Sequence, residues 1–454
     1  MEQQMVYDDV DYAVEEAVED SSDADLGASN LTNGSAFYSK DADNESFTDT
    51  NVRTEGVAEA DIIKTDGKYI YEYDSTTEHL FFYSVDDGKI TKEGSVNVLG
   101  DDHYFIEMYI VGDRLVLLGS NYGNSYYYYN NKAVTYVSIF DISDKGEPKL
   151  VDSFTQSGVY TDSRMVDGKL YTFSRKSFDL DKLKKKDYST YIPDIDGEII
   201  DNDDILVEGK AYNNSFVVIT ALDIEKAEFI DKMALLAGSS TLYVSSSNIY
   251  LADRTYDWGL FSYNDDTKLM KISYNDGELK YETSGTFPGY LNDDYSIDEY
   301  NDYVRVVTTY RDSDYTQYNG LYVMDKDLSK VSVIKKLAEG ETIRSARFMG
   351  DTAYFVTFRN MDPLFAVDLS DPENPRITDY LKIPGFSAYL HPYGDGKMLG
   401  IGYDTDENGY TSGIKLSMFD VTDPYDIKEE DTKILYDFNS CSVLQNRNAF
   451  MFNK

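Results

Sequence analysis

One cadence runs through most of this chain and limits its fold more than any other feature. A strand-like run carrying a glycine or Asx turn appears as DGKYIY at 66–71, GDRLVLL at 112–118, DGKLYTF at 167–173, GDTAYFVTF at 350–358 and DGKMLGIG at 395–402. Tens of residues later comes an apolar–Asp–apolar strand end: YSVDD at 83–87, FDISD at 140–144, LDIEK at 222–226, VDLSDP at 367–372 and FDVTDP at 419–424. Repetition of a β-pattern at a period of about 50 residues marks stacked four-stranded blades. The expected fold is therefore all-β, a single β-propeller of four-stranded antiparallel blades.

Seven units can be parsed. Turns between first and second strands fall near Gly67, Gly112, Gly168, Ser240, Asp302, Gly350 and Gly396. Third strands end near Asp86, Asp141, Asp223, Asp276, Asp325, Asp368 and Asp420. SCSVLQNRNAFMF at 440–452 reads as strand, turn, strand and opens an eighth unit. Eight blades with the last incomplete is the favoured count; the alternative is seven with closure by a strand shared between the two ends, since an open edge strand invites pairing. The recurrent aspartates look like a site because they recur. An Asp after an apolar strand also caps the following turn through its side chain, and that structural role is the expected one.

Residues 1–50 carry 14 Asp and Glu against one Lys. Such a segment cannot bury enough apolar area to offset its ordering entropy, so an acidic, largely disordered tail or linker is expected. Val6, Val10, Val14 and Val18 recur every four residues and allow a short helix over 5–19. The propeller is expected over 51–454, interrupted at about 175–214 by an insertion that holds the one basic island, KLKKK at 182–186. An insertion of that length on one face is a candidate functional loop.

Net charge excludes whole classes of partner. With 42 Lys and Arg against 83 Asp and Glu, the formal charge is −41. No basic face large enough to neutralise a nucleic-acid backbone can form, and attraction to anionic lipid by a polybasic surface fails on the same ground. A monomer kept apart from its copies by repulsion is expected. No apolar run approaches the ~20 residues of a membrane-spanning helix, and no signal peptide opens the chain. The acidic start suits a linker lying beyond a removed signal or anchor. The single cysteine, Cys441, rules out an intrachain disulfide and is expected as a small buried apolar residue.

Several segments go further than a generic propeller. NVRTEGVAEADIIKTDGKYIY at 51–71, ETIRSARFMGDTAYFVTFRNMDPLFAVDLSDPENPRI at 341–377 and LKIPGFSAYLHPYGDGKMLGIGYDTDENGYTSGIKLSMFDVTDP at 381–424 resemble a family of secreted bacterial and archaeal proteins. Its members have a β-propeller domain distantly related to WD repeats. SRMVDGKLY at 163–171 and FPGYLNDDYSIDEYNDYVRVVTT at 287–309 agree with it. The resemblance covers roughly 51–454. It implies an exported or cell-surface protein with a membrane anchor ahead of the propeller, and it brings no catalytic residues. Where the family tends to show an apolar pair before an MDEY-like motif, this chain departs with Asp293, Asp294 and Tyr295.

Candidate chemistry is sparse. In DTDENG at 404–409, Asp404, Asp406 and Asn408 alternate before Gly409, a spacing that could wrap oxygens around Ca²⁺. An EF-hand would want Glu at the twelfth position, where Lys415 stands, and an Asx/Gly hairpin turn is the competing reading. DIDGE at 194–198 is a weaker version of the same pattern. A three-histidine zinc site would need His79, His103 and His391 together, and they fall in separate units; a hydrogen-bonded turn histidine before Pro392 is the expected role of His391. GFSAY at 385–389 lacks the final glycine of a nucleophile elbow, and no phosphate or dinucleotide loop is present. The single Trp258 and the dispersed tyrosines, including YYYY at 126–129, read as cross-strand pairing and rim, not as a sugar cleft.

Two functions remain. The favoured one is a non-catalytic extracellular propeller that binds a protein or glycan at the cell surface. The alternative is a secreted polysaccharide hydrolase or lyase using carboxylates at the channel. Convergent acids in a deep axial pocket, one with a raised pKa, favour the enzyme; a channel plugged by aromatic residues favours the binding protein.

Overall fold

A computed structural model describes residues 51–98, 104–121, 133–186, 188–208, 213–238, 241–258, 263–358, 362–394, 396–406 and 410–450. The acidic segment 1–50 with its 5–19 helix, the YYYY run and His103 lie outside these residues. The described residues form seven sheets, each built on four consecutive antiparallel strands. The first holds Ile63–Thr65, Tyr69–Asp74, His79–Asp86 and Lys89–Asn97. The second holds Tyr104–Val111, Arg114–Asn121, Val134–Asp141 and Lys149–Ser157. The third holds Val159–Val166, Lys169–Ser177, Ser215–Asp223 and Glu228–Leu236, and the fourth holds Thr241–Val244, Asn248–Trp258, Tyr263–Asn275 and Glu278–Pro288. The last three sheets span 297–337, 342–383 and 386–435.

Burial explains the residue types. In the second to sixth sheets the second and third strands are covered on both faces by neighbouring sheets, so they read as near-continuous apolar runs. Every residue of Ser215–Asp223 is buried. Fourth strands lie outermost and are mostly exposed and polar, as in Lys89–Asn97 and Lys428–Leu435. Apolar clusters join each sheet to the next from the first to the seventh. The remaining face of the seventh sheet, with Tyr389, Leu399, Ile401 and Leu416, packs instead on the C-terminal segment through Val443, Leu444 and Phe450.

That segment corrects the expected eighth unit. Residues 440–450 form two 3₁₀ turns, Ser442–Leu444 and Arg447–Ala449, in place of a hairpin. Asn446 accepts a hydrogen bond from the Asn448 N–H through its own side chain, which favours the turn over an extended strand. No strand is shared between the ends among the described residues, because the first and last sheets each take all four strands from their own stretch of chain. Cys441 is half-buried beside these turns. In the fourth sheet the first turn falls at 245–247, after the Ser240 expected for it. Ser245 Oγ accepts from the N–H groups of Ser247 and Asn248 there.

The strand-end aspartates are turn hardware. Asp141, Asp223, Asp325, Asp368 and Asp420 each accept backbone N–H groups two to four residues on. In the first and fourth sheets the connection shrinks to Asp87–Gly88 and Asp276–Gly277, all with positive φ, as a two-residue hairpin turn requires.

Strand direction alternates within a sheet, so the start of every first strand shares a rim with every connection between second and third strands. The insertion at 178–214 leaves from this rim. It is a folded unit: two short helices, Leu180–Lys184 and Tyr188–Tyr191, then a hairpin of Asp194–Ile195 with Glu198–Ile199. Ile195 pairs with Gln156 on the outer strand of the second sheet, and Ile205–Leu206 runs parallel to the outer strand of the third. The insertion therefore fastens two neighbouring blades together.

Candidate functional site: an axial cluster of arginines and carboxylates

The chain enters the propeller along its axis. Asn51 Nδ2 donates to Tyr389 Oη (2.9 Å), Arg53 to the Ile297 carbonyl, and Thr54 Oγ1 to the Val244 carbonyl (3.1 Å). Ala58 then bridges Met165 and Asp61 bridges Met108. Residues 51–61 thus touch the inner strands of the seventh, fifth, fourth, third and second sheets in turn. Val57 and Ala60 are buried and anchor this path in the clusters between sheets.

Charged side chains converge beside this segment. The 3₁₀ turn Asp294–Ser296, closed by the Ser296 N–H to the Asp293 carbonyl (3.2 Å), aims Asp293, Asp294 and Tyr295 at the axis. Arg447, from the C-terminal turns, pairs with Asp293 at 2.7 Å and with Asp294. Arg53 lies 3.6 Å from Asp294 on its other side. The guanidiniums of Arg53, Arg347 and Arg447 sit 5.0, 4.8 and 4.1 Å from the Tyr295 ring centroid, so one aromatic ring gathers three cations. Asn448 Nδ2 reaches the Ala60 carbonyl at 3.0 Å and ties the axial segment to the turns at 442–449.

A second group adjoins the first. Asp162 and Arg164 occupy alternate positions of an inner strand and share its face; they form an ion pair, and Arg164 also lies 3.8 Å from Glu59. Glu107 accepts the Tyr160 hydroxyl, which lies 2.8 Å from Ser163 Oγ, and Ser163 is 2.9 Å from Tyr109 Oη. A cavity of about 310 Å³ separates these residues from Asp294, Tyr295 and Arg447. A second cavity of about 390 Å³, toward the insertion rim, shares Asp162 and Asp294 with it.

Solvation drives the acids apart. Burial pushes the Glu107 carboxyl up to about 7, helped by the charge of Asp162 and opposed by the Tyr160 hydrogen bond. Burial also raises Glu59 against the pull of Arg164, and raises Asp293 against Arg447. Burial would raise Asp294 too, but Arg53 and Arg447 outweigh it and hold its carboxyl below the usual range. His391, hydrogen-bonded to Tyr389 Oη at 3.1 Å, is pushed down to about 4 by burial and then by Arg347.

The sequence-based metal candidates stand away from this cluster. Asp404, on the second strand of the seventh sheet, accepts the Ser412 hydroxyl. Asp406 Oδ1 accepts the Tyr410 N–H at 2.9 Å in a hairpin turn. Asn408 lies outside the described residues. Asp194 is paired with Lys176 at 3.1 Å, and Asp196 accepts the Thr155 N–H at 2.6 Å, so both fasten the insertion. Among the described residues no group of three His, Cys, Asp or Glu side chains is placed to hold a metal ion. Of the axial residues, sequence reading flagged Asp293, Asp294 and Tyr295 as a departure and missed Arg53, Glu107 and Arg164. The available signal was charge inside first-strand patterns that are otherwise apolar, as in SRMV at 163–166.

Residues 47–454 match the protein-family model described as Beta propeller domain, and the chain belongs to that family. It is 27% identical to an uncharacterized protein of Methanocaldococcus jannaschii, over 85% of this chain and 69% of that one. It is also 27% identical to an uncharacterized protein of Archaeoglobus fulgidus, over 90% of this chain and 74% of that one. Among solved structures it is similar to the β-propeller domain of the Trilobed protease from Pyrococcus furiosus. That match has 10% identity and a TM-score of 0.35 and covers 86% of this chain and 98% of the other.

Proposed function

We propose that this protein is a non-catalytic propeller of the cell surface whose rim binds a protein or glycan partner. One observation carries the reading. The axis, where a propeller could hold a catalytic pocket, is crossed by residues 51–61 and fastened by paired arginines and carboxylates that also bind the C-terminal turns. That segment leaves two cavities of about 310 and 390 Å³ beside it, and rim loops and blade junctions offer further surfaces to a ligand. Strong negative charge suits an exported protein that must stay dispersed.

A second reading has its own support. Glu107, its carboxyl raised to about 7, and Asp294, held below the usual carboxylate range, border one cavity, and acids driven apart in this way can serve as acid and base on a polysaccharide. Incubation with soluble polysaccharides, assayed for new reducing ends and for unsaturated products, separates the two readings. Binding without turnover is expected. Turnover that disappears in Glu107→Gln would overturn the binding-protein reading. Surface exposure is tested by protease digestion of intact cells, which should release the propeller.

A further inference from the structure

The junction between the fourth and fifth sheets opens at the insertion rim into a cleft of about 570 Å³. That volume lies within the ordinary range for small-ligand sites. The cleft's lining includes Arg254, Asp265, Tyr290, Tyr310, Tyr315 and Gln317, with Arg311 adding a second cation. The sequence scatters them over more than 60 residues; the blade junction brings them together.

The polar wall is rigid. Arg254 grips Asp265 with two parallel bonds, Nε to Oδ1 at 2.7 Å and Nη2 to Oδ2 at 2.5 Å. The guanidinium lies 4.1 Å from the Tyr290 ring centroid. Fork-on-carboxylate pairing fixes both groups in one plane. Tyr290 is itself pinned by a two-bond bridge to Thr309. That bridge depends on Gly289, which has φ +87°; a Cβ there would stand 2.2 Å from the Thr309 carbonyl oxygen. Gln317 is oriented by bonds from Nε2 to the Glu341 carbonyl (3.0 Å) and Thr342 Oγ1 (2.8 Å).

The aromatic side is presented outward. Tyr310 is buried, its hydroxyl accepting the Lys336 N–H at 3.0 Å. Tyr315 is 63% exposed at the tip of the 312–316 turn. Its φ is +65°, and it is the only aromatic residue with positive φ among the described residues. Bulky side chains are rarely held there, and the turn imposes it through the Tyr315 N–H to the Asp312 carbonyl and the Asp312 N–H to the Thr316 carbonyl, both 3.0 Å. An exposed aromatic ring lining the same cleft as a fixed polar wall provides what a pyranose needs: an apolar surface for its C–H face and donors and acceptors for its vicinal hydroxyls.

We propose that this cleft binds a saccharide, with one pyranose ring against Tyr315 and its hydroxyls toward Arg254, Asp265 and Gln317. The proposal deepens the binding-protein reading and rests on it. Isothermal titration of the whole chain with cellotetraose, mannotetraose and tetragalacturonate, each to about 10 mM, tests it. Saturable binding of at least one is expected. Tyr315→Ala, on an exposed tip, should weaken binding about tenfold or more, the scale of one lost aromatic contact. Tyr315→Phe should retain it, because the ring does the stacking, and Tyr410→Ala, an exposed tyrosine beside the seventh sheet, should leave it unchanged. Failure of all three sugars to bind overturns the cleft, as does binding indifferent to Tyr315→Ala; either result leaves a protein partner or another rim surface open. Turnover of a sugar would instead overturn the reading beneath it.

Discussion

Replacing Arg447 by Met should loosen the axis measurably. Arg447 neutralises two adjacent carboxylates, 2.7 Å from Asp293 and closer to Asp294. Without it Arg53, at 3.6 Å, is the one ion-pair partner left to Asp294 among the described residues, and Asp293 keeps none there. Removing one partner of a buried pair costs about 3–5 kcal/mol. The three side chains retain 28%, 20% and 22% of their exposure, which points to the lower end, about 3 kcal/mol. For a cooperative unit of about 400 residues the unfolding entropy is near 0.85 kcal/mol/K, so Tm should fall by about 3–4 °C. Urea unfolding at pH 7 of wild type, Arg447→Met, Asp294→Asn and the double variant gives the coupling directly, with about 2 kcal/mol or more expected. The exposed Lys428–Asp426 pair, treated identically, should show no measurable coupling. A coupling near zero, or a Tm within about 1 °C of wild type, would refute the claim that Arg447 fastens the C-terminal segment to the axis.

Three further outcomes follow from the same geometry. The raised pKa of Glu107, about 7, means the native state holds a proton that the unfolded chain releases near pH 4, so stability is greatest below that range and is lost as pH rises through 7. Glu107→Gln should therefore be more stable than wild type at pH 8, by on the order of 3 kcal/mol, and similar at pH 5, in urea midpoints; an equal gain at both pH values would contradict this. The His391 imidazole should stay neutral down to about pH 4 in an NMR titration, and a midpoint near 6.5 would show it is not buried as described. Gly289→Ala, forced to φ +87° against the Thr309 carbonyl, should cost about 2 kcal/mol or more and weaken any ligand of the Tyr290 cleft; unchanged melting would remove the reason for a glycine there.

Much of the fold was legible because local chemistry repeats with the blades. The Asp–Gly pairs at 87–88, 167–168, 196–197 and 276–277 take the same positive-φ turn, and aspartates after apolar strands cap the following backbone N–H groups. The eighth unit was misjudged because SCSVL carries apolar residues at strand-like density. Whether they pair as a strand or pack as a turn depends on the Tyr295 and Tyr389 surface they meet, which lies far away in sequence. The candidate sites were barely legible for a related reason. Asp293 and Asp294 were noticed as a departure, yet nothing nearby announces Arg53 or Arg447, 241 and 153 residues distant from the Asp294 they reach.

Sequence by itself determined the class of fold, the blade punctuation and the strong negative charge, because period, turn chemistry and net charge are properties of local stretches or of the sum. Tertiary structure decided what fills the axis, which of the many acids are ionised, and which tyrosines share a cleft. Those depend on desolvation and on angular placement around a ring, and residues distant along the chain meet there only once every blade is in position.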